Sequence, residues 1–140
     1  MKPINKLIPV LALFAAPIVA QERIEIFTQS PVHIDSVPGI DIIHFDLSAP
    51  DQLKKDLALP LPADQKQAML QANRFFGTTE GIAFKAAMRD AYRGRQKMLQ
   101  YQLTKIPAIV FDEGKYVIYG STNVAQAIAL YRNHIQENQE

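Results

Sequence analysis

The chain has no cysteine among its 140 residues. This excludes thiol redox catalysis, a cysteine nucleophile, a zinc–thiolate centre and an N-terminal lipidated cysteine. Disulfide stabilisation is excluded with them, so the fold must rest on burial alone. Other absences narrow the field further. No two of the three histidines, His33, His44 and His134, have the i, i+4 spacing of a helical metal site. No glycine-rich nucleophile elbow surrounds a serine, and no internal repeat or low-complexity tract occurs. No cofactor is expected.

What is present begins with a leader-like segment. Lys2 and Lys6 precede the uncharged run Leu7 to Ala20, and the small residue Ala20 is followed by polar residues. This layout reads as a signal peptide over residues 1–20 with cleavage after Ala20. An uncleaved anchor is the competing reading. The run is shorter than the roughly 20 residues a spanning helix needs, and Pro9 and Pro17 interrupt it. Residues 21–140 would then form one exported, periplasmic domain without a stable membrane span. Taking Lys2 and Lys6 from the 15 basic residues leaves 13 against 14 acidic, a net charge of −1. Nothing in that balance suggests a nucleic-acid partner.

Along residues 21–140, Arg23 to Thr28 alternates as a strand with large apolar groups on both faces. Gln29 to Gly39 holds Pro31, Pro38 and Gly39 and reads as a loop; Ile40 to Leu47 reads as a second strand. Ser48, Pro50 and Asp51 suit the start of a short helix that Pro60 and Pro62 bar from continuing. A second helix ends near Gly77, and Thr78 or Thr79 caps a longer one. Its predicted apolar stripe is Phe84, Met88, Ala91 or Tyr92, Leu99 and Leu103, with a kink or break at Gly94. Two strands flank the turn Asp112–Glu113–Gly114. Ser121 or Thr122 then caps a last helix with the stripe Val124, Ala127, Ile128 and Tyr131, and the polar tail frays from about 134. The order predicts an α/β fold, bordering on α+β, with helices covering a small mixed sheet.

The segment Thr104 to Gly120, "TKIPAIVFDEGKYVIYG", resembles the second half of a thioredoxin-type domain. The resemblance implies a thioredoxin-like sheet with a C-terminal β-hairpin. It also implies a cis bond at Ile106–Pro107, where composition alone would give trans, and a backbone at Ile106 that pairs with an extended peptide. The window where that fold carries its two cysteines falls on Ser30 to His33. Only eleven residues, Gln29 to Gly39, separate the first two strands, so the redox helix is reduced or absent. A Ser30–His33 nucleophilic pair is the enzymatic reading; a turn with a solvated histidine is the plainer one. The helix from Lys85 to Lys105 carries six basic residues against Asp90 alone, a surface for an anionic partner or an ordinary solvated face.

The motifs "IEIFT", "HFDLSAP", "LPLPADQKQA", "RDAYRG" and "TKIPAIVFDEGKYVIYG" together resemble an uncharacterised family of exported proteins encoded in integrating conjugative elements. That resemblance implies a non-catalytic accessory component of a conjugative type IV secretion (mating) apparatus, with protein partners drawn from the apparatus. Candidate partner-binding residues are Thr28, Ser30, His33, Ile106 and Pro107. The alternatives are a small Ser/His-dependent periplasmic enzyme and a purely structural subunit.

Overall fold

The computed structural model describes residues 22–138. The signal-peptide reading of residues 1–20 lies outside them. Among the described residues the order is β1 (Glu22–Thr28), β2 (Ile40–Asp46), α1 (Ala49–Asp56), α2 (Gln65–Gly77), α3 (Thr79–Gln100), β3 (Ala108–Phe111), β4 (Tyr116–Tyr119) and α4 (Val124–Glu137). The four strands form one mixed sheet in the order β2-β1-β3-β4. β1 runs parallel to β2 from Glu22↔Ile40 to Thr28↔Asp46, and β3 is antiparallel to both β1 and β4. The expected mixed α/β sheet, hairpin and terminal helix are all present.

β1 is central and has apolar groups on both faces, so its side chains divide the core in two. Ile24 and Ile26 pack with Ile109, Phe111 and the α4 residues Val124, Ala127, Ile128 and Tyr131. Phe27 packs on the opposite face with Phe45, Leu47, Leu103, Ala108 and Val110, where α3 adds Met98. Each fully buried large apolar side chain contributes about 1.5–3 kcal/mol relative to exposure. Residues 29–39 contain no helix. Ile34 and Val37 from this loop instead pack against the α4-side core, so an irregular connection does the covering that a crossover helix would otherwise do.

Four local expectations are corrected. α3 runs unbroken through Gly94, which is buried against β2: a Cβ there would stand 2.9 Å from Phe45 Cβ and 3.2 Å from Leu47 Cδ2. Glycine at this position permits close packing of helix on sheet. The stripe of α3 changes partner along its length accordingly, and Leu99, expected inside, is 78% exposed while Met98 packs inward. The last helix is capped by Asn123, whose Oδ1 accepts from Gln126 N at 3.0 Å; Ser121 Oγ instead accepts from Asn123 N. Ser48 stands at the N-cap of α1 without capping it, because its hydroxyl donates to Asp46 Oδ1 at 2.7 Å. α4 continues to Glu137 because Ile135 packs on the core and the His134 ring meets Tyr116 edge-on at 5.6 Å.

Two polar contacts tie helices to the sheet. Arg95 donates through Nε and Nη2 to Leu47 O at 3.1 and 2.9 Å, and Nη2 also donates to Asp51 Oδ2 at 2.6 Å, joining α3 to α1. That guanidinium bond holds the Asp51 carboxyl below its ordinary value. On β1, buried Glu25 meets Lys97 Nζ at 3.2 Å through Oε1, and Lys97 donates to Tyr101 Oη at 2.7 Å. The second Glu25 oxygen is buried without a hydrogen-bond partner. The Tyr101 ring in turn fills the space above Gly114, whose φ of 100° suits glycine and whose Cβ, if present, would meet Tyr101 Cδ1 at 2.6 Å.

Candidate functional site

The C-terminal end of β1 and the entry to β3 meet at one end of the sheet. The antiparallel register Phe27↔Ala108 sets Thr28 beside Pro107, and Ala108↔Tyr119 brings Gly120 to the other side. Gly120 N donates to Pro107 O at 2.8 Å. The Ile106–Pro107 bond is cis, as the thioredoxin resemblance implied. β3 is flanked by β1 and β4, so a main-chain partner from outside can reach this strand only before it begins. Ile106 occupies that place. Its side chain packs against the α3-side core, and among the described residues neither its N–H nor its carbonyl has a hydrogen-bond partner. A half-buried residue thus has its side chain committed to the core and its backbone groups unpaired.

Thr28 is buried, and its hydroxyl organises the neighbouring loop. Oγ1 donates to Ser30 O at 2.7 Å and lies 2.8 Å from His44 Nε2. A hydroxyl has one hydrogen. With that hydrogen on the Ser30 carbonyl, His44 carries its proton on Nε2 and donates it to Thr28. Thr28 O also accepts from Leu47 N at 2.9 Å. The loop leaving β1 is therefore fixed at Ser30 by β1 and β2 together. His44 is the residue sequence reasoning undervalued: its place two residues before Asp46, which pairs in register with Thr28, brought it to this corner.

The other candidates lie apart. Ser30 is exposed and contributes its carbonyl, not its hydroxyl, to the Thr28 bond. His33 is exposed, with Nε2 3.4 Å from Asp35 Oδ1 and the two side chains 90% and 96% exposed. No hydrogen bond joins Ser30 to His33 among the described residues. A serine is activated only by a base held within reach and itself oriented, and this geometry does not supply one. Of the five candidates, the structure assembles Thr28, Ile106 and Pro107 with the Ser30 backbone, and leaves His33 in solvent.

No cluster of three or more His, Asp or Glu side chains suited to a metal occurs among the described residues. No helix among them is long and apolar enough to cross a membrane. The family model for proteins of unknown function designated DUF1525 matches residues 21–137, and the chain belongs to that family. Neither a curated protein nor a solved structure matches it significantly.

Proposed function

We propose that this chain is a non-catalytic, exported accessory component of a conjugative type IV secretion apparatus of an integrating conjugative element, built on a thioredoxin-like fold. It acts in the periplasm, without a cofactor, by holding an extended segment of a protein partner at Ile106. The observation that carries this reading is the unpaired main chain of Ile106, set between the fixed end of β1 and an interior strand. An extended peptide laid there gains main-chain hydrogen bonds without needing a reactive side chain. The strand order β2-β1-β3-β4, with one parallel and two antiparallel pairs, supports the thioredoxin-like reading. The absence of cysteine removes the redox role such a scaffold usually carries.

Bulk tests the edge better than removal of a buried side chain. Ser30 and Lys105 are exposed and flank the site, so Ser30→Trp and Lys105→Trp should change stability by no more than about 0.5 kcal/mol. In a donor lacking the gene, wild type and the Ser30→Ala/His33→Ala double variant should restore mating frequency, while the two tryptophan variants, present at normal level, should not. Undiminished transfer in the deletion strain removes the apparatus role. Full rescue by both tryptophan variants removes the edge. Failure of Ser30→Ala/His33→Ala with rescue by Lys105→Trp would instead favour the enzymatic reading.

A further inference from the structure

We infer that a basic-rimmed apolar groove on the α2–α3 hairpin docks an acidic amphipathic helix of a partner protein. Gly94, in the second half of α3, is pressed against β2, while the earlier turns of α3 pack on α2, a helix with no fully buried residue. Phe75 and Phe76 of α2 meet Phe84 of α3 with ring centroids 6.5 and 6.4 Å apart, which locks the two helices together. Beside this cluster runs a groove of about 620 Å³. Its floor is the row Phe84, Met88 and Tyr92, spaced four residues apart on one helical face, with Phe76 closing one wall.

Lys85, Arg89 and Arg93 form the adjacent row, one residue further along, and Asp90 is the sole acidic residue lining the groove. What sets this row apart is its place along an apolar groove, since Lys55, Lys66, Arg74, Lys105 and Lys115 also lack a carboxylate within 4.0 Å among the described residues. Arg23, Arg95, Lys97 and Arg132 are each paired with a carboxylate. Lys85, Arg89 and Arg93 have no acidic partner within 4.0 Å among the described residues, and Lys85 Nζ sits 6.0 Å above the Phe76 ring. Three unpaired cations along one edge of an apolar trough match a helix carrying apolar residues at i, i+3 or i+4 and i+7, with acids on one flank.

Among the described residues no helix offers such a flank: α1 sets Lys54 and Lys55 between Asp56 and an Asp51 already held by Arg95, α2 carries no acid, and α4 carries Arg132 and, only at its end, Glu137. Residues 1–20 contain lysines but no acid. A second copy therefore offers no helix with an acidic flank. A membrane surface is disfavoured because Phe76, Phe84 and Met88 are recessed between two helices rather than protruding. The occupant is a different protein.

The test is a titration of isotope-labelled protein, residues 21–140, with two synthetic amphipathic peptides of identical apolar pattern, one with a glutamate flank and one with a lysine flank. Phosphatidylglycerol vesicles form a third arm. The acidic peptide should shift amide resonances of residues 76–93 and bind at least about ten-fold more tightly than the basic one. Its affinity should fall as salt rises through about 0.15 M, where exposed charges become screened. Arg89→Glu/Arg93→Glu, at exposed positions, should leave the circular dichroism spectrum unchanged and abolish the preference. Met88→Lys should weaken the acidic peptide through loss of apolar contact. Equal binding of both peptides, an undisturbed preference in Arg89→Glu/Arg93→Glu, or vesicle binding with neither peptide bound would overturn the inference. Ser30→Trp and Lys105→Trp should leave peptide binding unchanged, so this site and the Ile106 edge fail or succeed separately.

Discussion

Replacing Gly94 by alanine sets two effects of opposite sign against each other. In an exposed helix interior, Gly→Ala is worth about 1 kcal/mol in favour of the folded state. At Gly94 the new methyl would stand 2.9 Å from Phe45 Cβ, 3.2 Å from Leu47 Cδ2 and 3.3 Å from Phe45 Cδ1. Phe45 Cβ is fixed to the backbone of β2, so relief requires moving α3 off the sheet rather than turning a side chain. Overpacking of this kind costs typically 1–3 kcal/mol, and with the rigid atom nearest the upper part of that range applies. The net expectation is a loss of about 1–2 kcal/mol, or roughly 4 °C in Tm for each kcal/mol in a domain of this size. Gly77→Ala is the control. Gly77 lies at the end of α2 with nothing within 4 Å of the added methyl, so it should gain up to about 1 kcal/mol. Urea unfolding followed by circular dichroism would give both midpoints and slopes. If Gly94→Ala matched or exceeded wild type in stability, α3 would not press on β2 at that residue, and the account of how the helix changes partner would fail.

Stability should also fall steeply in alkali. Burial and the bond to Asp112 raise the Tyr131 pKa, burial raises that of Tyr101, and the Tyr101 hydroxyl raises that of Lys97. Each folded value lies above the unfolded one, so the unfolded chain releases these protons first; their contribution is intact below about pH 10 and is lost as pH rises through the folded values. Urea midpoints taken from pH 8 to 12 should be flat and then drop, and Tyr131→Phe should make the drop shallower; an unchanged slope would contradict the role given to the Tyr131–Asp112 bond. Lys97→Met removes the cation beside buried Glu25. Losing one member of a buried pair costs about 3–5 kcal/mol, and with the Lys97 side chain 33% exposed about 2–4 kcal/mol is expected. Glu25→Gln/Lys97→Met should recover most of that loss; a double variant as unstable as Lys97→Met would show that packing, not charge, is at stake.

The sheet and its helices were legible because their signals are local. Alternation marked β1 as a strand with apolar groups on both faces, and the Val124–Tyr131 stripe fixed the buried side of α4. Thr78 was readable as a cap and accepts from Gly81 N at 3.1 Å. The readings that failed depended on a partner. Gly94 has the same propensity whether it breaks a helix or admits a strand, and only the nearness of Phe45 decides. The α3 stripe was drawn as one face, but its first half turns to α2 and its second to the sheet, which leaves Leu99 outside. At the start of α4, three polar residues in succession could each cap, and the backbone at Asn123 selected the third.

The candidate site was legible only in part, for a different reason. A site made of side chains leaves a pattern of residue types; a site made of backbone leaves almost none. Ser30 and His33 drew attention because their side chains could react, yet the contribution of Ser30 is a carbonyl and His33 points to solvent. What prepares the Ile106 backbone is a set of residues with no chemical signature. An apolar side chain seats it in the core, β1 and β4 occupy both sides of the strand that follows, and the Thr28–His44 pair fixes the facing loop. None of these features requires sulfur. The absence of cysteine therefore excludes thiol electron transfer and leaves the capacity for main-chain contact intact, because the N–H and carbonyl at residue 106 do not depend on what stands at positions 30 to 33.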